Sequence, residues 1–234
     1  MVKQESAKIN EINIDNKGIN GMDKLNREDS NVMMEGHIKI WDPESGDVFI
    51  DKRNAINFEN MSIALAQSLS NRGQGSVYEM HFGNGGTVVT ATGTVEYRTP
   101  NTDGQSEDLY NATFFKVIDE SDTFNNTDIT QNYMEVSHVA GTNYTDIIVT
   151  CTLDYNEPSA TDTTFNLAGV DQSIVDNATD FNGSFVFDEL GLKSKSASAN
   201  LNEGLLLTHV VFHPVQKSAN RLLQVVYTLR IRAG

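Results

Sequence analysis

The chain has 234 residues, and its 32 acidic against 17 basic side chains give a formal charge of −15 at pH 7. That balance disfavours neutralising nucleic-acid phosphates or docking on an anionic membrane, since both need a basic surplus. A hydrophobic share of 38% supports a packed core, no run approaches the ~18–20 apolar residues of a spanning helix, and the single cysteine, Cys151, excludes a disulfide framework or a cysteine zinc site.

The opening stretch MVKQESAKINEINIDNKGIN carries no apolar h-region, so the expectation is a chain made and kept in a cytosol. Residues 1–35 are rich in Asn, Lys, Asp, Glu and Ser, with isolated Ile9, Ile12, Ile14, Ile19 and Leu25. Such a segment cannot offset its ordering entropy alone. Two readings stay open: a disordered tail, or an arm ordered only against another subunit. The spacing of Ile12 and Ile14 suits a strand added to a neighbour's sheet.

The folded part is expected from Gly36 to Gly234 as one domain. His37 to Trp41 alternates, Asp42 to Asp47 supplies turn chemistry and Val48 to Ile50 begins a return strand, which predicts a hairpin. Ile63, Leu65, Ala66 and Leu69 recur at helical spacing after a cap at Asn57 or Asn60, ahead of Asn71-Arg72-Gly73. About a dozen residues are marginal as a free helix, so this one is expected to lie across a sheet or plug its end.

From there strand follows strand. Val77–Phe82, a strand within Val88–Tyr97, Ala112–Ile118, Asp146–Tyr155, Phe185–Phe187, Leu205–Phe212 and Leu222–Ile231 are predicted. In Asp146–Tyr155 the residues Ile147, Val149, Cys151 and Leu153 share one face, which makes Cys151 a small core residue rather than a reactive thiol. Leu223, Val225, Tyr227, Leu229 and Ile231 share a face of the last strand. The strand before it is apolar on both faces and is expected to be central, with its pairing to the last strand left open. The polar stretches 98–109 and 156–182 are turn-rich connections. Recurring strands with one short helix argue for an all-β antiparallel β-sandwich, jelly-roll or immunoglobulin-like, with an extended N-terminal arm.

Candidate chemistry is sparse. On one strand His209 and His213 would share a face yet lie ~13 Å apart at ~3.3 Å per residue, too far to share a metal. Asp188 and Glu189 are adjacent, and adjacent strand residues point to opposite faces, so they form no acid/base pair by themselves. No acidic run matches a calcium loop, although calcium or magnesium could pin a loop. Phe82-Gly83-Asn84-Gly85-Gly86-Thr87 lacks the Lys-Ser/Thr of a phosphate loop, and its glycines are expected to supply positive φ in a turn. Trp41 is expected to pack in the core. No nucleophile elbow is present, so no enzyme, catalytic residue, cofactor or metal site is expected.

Several strings together resemble virion structural proteins of tailed bacteriophages. They are His37-Ile38-Lys39-Ile40-Trp41-Asp42 with Asp51-Lys52-Arg53-Asn54-Ala55-Ile56, Glu59-Asn60-Met61-Ser62, Met80-His81-Phe82-Gly83-Asn84-Gly85-Gly86-Thr87, Phe187-Asp188-Glu189-Leu190-Gly191-Leu192, and Leu207-Thr208-His209-Val210-Val211-Phe212 through Tyr227-Thr228-Leu229-Arg230-Ile231. The resemblance covers most of residues 36–234 and implies a neck or collar protein, with a decoration or fibre-attachment (receptor-binding) module as the alternative. It implies partners among portal, connector, tail or capsid subunits, homo-oligomerisation, no direct nucleic-acid or membrane contact, and a location in the virion after assembly in the bacterial cytoplasm. The contact residues expected are Ile9, Ile12, Ile14 and Ile19 of the arm, and Arg98, Asp103 and Asp108 of the loop.

Overall fold

The computed structural model describes residues 31–125, 130–158, 184–198 and 200–234. Two strands open it, β1 (Val32–Trp41) and β2 (Val48–Ile56), paired as the expected hairpin through a turn in which Asp42 Oδ1 accepts from the Glu44 and Ser45 amides. β1 starts four residues ahead of Gly36, so Val32–Glu35 pair with the C-terminal strand. The helix α1 (Phe58–Leu69) follows, and Asn57 caps it by accepting the Asn60 amide at 3.1 Å. Met61 and Ala64 carry it into the core.

The remaining strands are β3 (Val77–Gly83), β4 (Thr87–Val89), β5 (Val95–Tyr97), β6 (Ala112–Val117), β7 (Tyr133–His138), β8 (Tyr144–Leu153), β9 (Ser184–Ser194), β10 (Thr208–Ser218) and β11 (Leu223–Ala233). Nine of the eleven strands described form one antiparallel sheet in the order β6-β3-β9-β10-β2-β1-β11-β8-β7, and β4 with β5 makes a separate ribbon. β10 is central, as its apolar faces predict. It does not pair with β11: β10 lies between β9 and β2, and β11 between β1 and β8.

The sheet is curled into a half-barrel. Its two halves meet where β10 and β2 pair at only Thr208↔Ile56 and His209↔Ala55. Beyond that short junction the strands are free to diverge. The register of β10 against β9 also shifts between Val211 and Val215, an irregularity of the kind that bends a strand. Inside the curl, Val149, Cys151 and Leu153 of β8 and Leu223, Val225, Tyr227 and Leu229 of β11 are buried as their alternation predicts. The other half contributes a cluster centred on Phe187, whose ring lies 5.4 Å from Phe82 and 5.7 Å from each of Phe185 and Phe212.

Candidate functional site

β3 is buried on both faces. Met80 and Phe82 point into the curl, which leaves Glu79, His81 and Gly83 on the reverse side, and there Glu79 and His81 are each only 1% exposed. The cover comes from residues 98–111 and 200–206, which fold back over this half of the sheet. Leu109 and Leu206 reach so close that a Cβ on Gly191 would meet both. A sealed polar layer results.

Its first part links β3 to β9. His81 Nε2 lies 2.8 Å from Glu79 Oε2, and the His81 ring stacks on Phe115 at 5.0 Å. The Asn202 amide donates to both Glu79 oxygens at 3.0 and 3.2 Å. Lys193, opposite Glu79 in register, donates to Asp108 Oδ2 at 2.5 Å. Burial, reinforced by the Lys193 ammonium, lowers the pKa of His81, so the ring serves Glu79 as a neutral donor.

The second part joins three of the strings singled out in the sequence. Glu189 Oε1 accepts the amides of Gly85 and Asn111 at 3.0 and 2.8 Å, and Oε2 accepts the Tyr110 amide and His209 Nε2, both at 3.0 Å. His209 Nδ1 accepts the Asn101 amide at 2.9 Å, which assigns the proton to Nε2. Asp188 takes the Gly86 and Thr87 amides at 2.8 and 2.9 Å, together with the Thr87 hydroxyl. Burial raises its carboxyl above the ordinary aspartate value. Both acids thus serve the same loop, contrary to the expectation that neighbours on a strand diverge. The cause is a change of phase in β9: Phe185 and Phe187 are core residues before the acids, Leu190 and Leu192 after them.

The glycines of this loop also depart from expectation. Gly83, Gly85 and Gly86 have no positive φ. They are needed because a side chain would collide: a Cβ on Gly83 would lie 2.5 Å from Glu189 Oε1, and one on Gly85 would lie 2.8 Å from the Asn111 nitrogen.

Chemically, this layer is an anchor. Glu189 has four donors and both nitrogens of His209 are taken, so neither has a lone pair or proton free for a substrate. His213 is exposed beside the Tyr97 hydroxyl at 3.2 Å, whereas His209 is fully buried; the register shift between them removes the shared face that regular alternation predicts. Among the described residues no three His, Cys, Asp or Glu side chains are placed to hold a metal ion.

Of the contact residues expected from sequence, Ile9, Ile12, Ile14 and Ile19 lie outside the described residues. Arg98 is exposed with its guanidinium 4.9 Å from the Tyr110 ring, Asp103 is exposed, and Asp108 is turned inward onto Lys193.

The outer face of β2-β1-β11-β8 carries a shallow cleft of about 340 Å³ lined by Glu35, Gly36, His37, Arg53, Thr228 and Arg230. Two of its lining side chains are held by acids outside it. His37 meets Asp51 at 2.8 Å, and Arg230 grips Asp146 through two 2.8 Å bonds, which hold the Asp146 carboxyl below its ordinary pKa. Trp41 belongs to this face rather than the core, because it alternates with the buried Ile38 and Ile40; the Lys39 ammonium sits 4.8 Å from its ring. No protein-family model, curated protein or solved structure matches the chain.

One buried cation makes a pH prediction. Lys217 is 1% exposed and, among the described residues, donates only to the carbonyls of Asp154 and Ser218, at 2.8 and 3.0 Å. Burial lowers its pKa from 10.5 to about 8. The native state therefore binds fewer protons than the unfolded chain between these values, so this residue's contribution to stability improves as pH rises through that window. Denaturant titrations are expected to show the wild type gaining on Lys217→Met from pH 8 to 10; a constant difference would refute the assignment.

Proposed function

We propose that the chain is a structural subunit of a tailed-bacteriophage virion, at the neck or collar where head meets tail. It would assemble there in several symmetric copies, through its N-terminal segment and loops, against portal, connector, tail or capsid neighbours. In this reading it has no catalytic activity, and it reaches the virion from the bacterial cytoplasm. The two halves of the curled sheet stand for the layers of a jelly-roll or immunoglobulin-like sandwich, with residues 1–30 as an extended arm, since Val32–Glu35 belong to β1.

One observation carries the proposal beyond the resemblance of sequence. At the end of β1-β11-β8-β7 where residue 31 emerges, Val136 and Val139 are exposed beside the outer edge of β7, and Val32 and Met33 are exposed at the start of β1, three strands away. Apolar side chains beside unpaired backbone are what a subunit needs in order to add to another. Meanwhile the buried polar layer ties the body's own loops, which gives such a subunit a rigid frame.

Antibody labelling of particles purified from the source of the gene tests the assignment. Label at the head–tail junction is expected, and particles that lack the chain by mass spectrometry would refute it. Removing residues 1–30 is expected to keep the β signature in circular dichroism and a cooperative melt, while lowering assembly at least tenfold. The cut belongs at residue 30, because Val32–Glu35 pair with β11. An unfolded truncation would show that the segment belongs to the fold.

The alternative, a capsid decoration or tail-fibre receptor-binding module, gains one observation of its own. Trp41 lies on the outer face beside Lys39, where an aromatic surface can stack on a sugar. Binding to a glycan array, lost in Trp41→Ala, would favour it.

A further inference from the structure

We propose that the free edge of β7 receives the N-terminal segment around Ile12 and Ile14 from a second copy of the chain, which adds there as a further strand. The inference rests on reading the chain as an assembling subunit, and it names the surface that the arm engages.

Among the described residues β7 ends the nine-stranded sheet and pairs with β8 alone. The Met134 amide turns away from β8 and donates to Glu120 Oε2 at 3.2 Å, so alternation places the backbone groups of Val136 and His138 on the same open side. Glu120 thus blunts only the start of the edge. Beyond it Val136 is 75% exposed and Val139 56%, with no proline or lysine to discourage pairing.

Val136 lies opposite Ile147 on the face that continues into the curl. Side chains two apart on an added strand share a face, so Ile12 and Ile14 would extend that face beside Val136. Asn13 between them would turn to the outer side, with Glu135 and Ser137.

Position and charge favour the same occupant. Asn31 and Gly234 exchange backbone hydrogen bonds at 2.9 and 3.2 Å, so the segment leaves at the end of the sheet where β7 finishes. Between Ile14 and Asn31 lie 16 residues, which span up to roughly 55 Å at ~3.3 Å each. That is enough to reach a neighbour. Residues 1–30 hold 5 basic and 6 acidic side chains, whereas residues 31–234 hold 12 and 26. Two bodies repel one another, and the nearly neutral, isoleucine-bearing segment is the part of the chain least opposed to bridging them.

The test uses full-length protein, whose Cys151 is buried with its thiol pKa pushed up to about 12 and so stays out of exchange. Ile14→Cys and Val136→Cys are made separately, with Ile12→Cys to allow for register, and are mixed under mild oxidation. The expected result is a disulfide-linked dimer in the mixtures at least tenfold above either variant alone, with circular dichroism unchanged, and loss of assembly in full-length Val136→Pro without loss of fold. Three results would overturn the inference. Crosslinking only within one chain, in a protein carrying both substitutions, would put the arm on its own edge. An oligomer that persists without crosslinks would leave assembly standing but place it elsewhere. A protein that stays monomeric at every concentration would remove the assembly reading as well.

Discussion

Replacing Glu189 with alanine is expected to destabilise the protein by about 3–5 kcal/mol, since each buried donor left without an acceptor costs about 1–3 kcal/mol and relaxation keeps the total below the full sum. For a domain of this size that corresponds to a fall in melting temperature of roughly 8–15 °C. Four donors lose their acceptor at once: the amides of Gly85, Tyr110 and Asn111, and His209 Nε2. Each is then left without its acceptor at a position that is 0% exposed in the native protein, and an unpaired donor there costs about 1–3 kcal/mol. Glutamine at 189 separates charge from geometry. Its carbonyl can still serve Gly85 and Asn111, but its amide must face the Tyr110 amide and His209 Nε2–H. The histidine cannot relieve the conflict by moving its proton, because Nδ1 already accepts from Asn101. The glutamine variant is therefore expected to recover less than half of the loss in thermal melts followed by circular dichroism. Near-complete recovery would mean that the contacts to Oε2 contribute little.

Those contacts also show how far the sequence could be read. β8, β11 and β1 were legible because each alternates with one dry face, and the cap was narrowed to Asn57 or Asn60 because capping is local, whereas β2 was legible only at Val48–Ile50: its polar run Asp51–Asn54, which stays in the strand, has no dry face to mark it. β7 was not: Tyr133-Met134-Glu135-Val136-Ser137-His138 is an edge strand with little burial, so nothing forces a period on it. The polar layer was hidden for a different reason. Val77-Tyr78-Glu79-Met80-His81-Phe82 alternates like a strand with one wet face. What dries the second face is chain from residues 98–111 and 200–206, too distant in sequence to leave a local mark. Glu79, His81, Lys193 and Asn101 therefore drew no attention as a set. The strings that carried the resemblance fared better, since Phe82–Thr87, Phe187–Leu192 and Leu207–Phe212 meet around Glu189. The glycines of Phe82–Thr87 reflect a loop whose backbone amides must come close to the Asp188 and Glu189 carboxylates.

That requirement makes the glycines the second sharp test. Gly85→Ala is expected to cost about 2–4 kcal/mol, comparable to overpacking a core, because the atoms a Cβ would strike are the Asn111 nitrogen at 2.8 Å, Tyr110 Cβ at 2.8 Å and Asn111 Cβ at 2.9 Å. None of them is the far end of a flexible side chain. Relief would require the segment that carries the Tyr110 and Asn111 amides to move off the loop, which breaks the contacts of those amides with Glu189. Gly46→Ala is the control of opposite kind. Gly46 has φ +79° and nothing within 4 Å of a Cβ, so it bears only the left-handed strain of about 1–2 kcal/mol. If positive φ were what the Phe82–Thr87 loop needed, Gly85→Ala would cost no more than Gly46→Ala in denaturant titrations. Crowding predicts a larger loss at Gly85, and it predicts non-additivity. Once Glu189→Ala has released the Tyr110–Asn111 segment, the second substitution has less left to break, so the double variant is expected to fall at least 1 kcal/mol short of the sum of the singles. Simple additivity would mean that loop and anchor act independently, and the polar layer would then be two separate devices rather than one clamp.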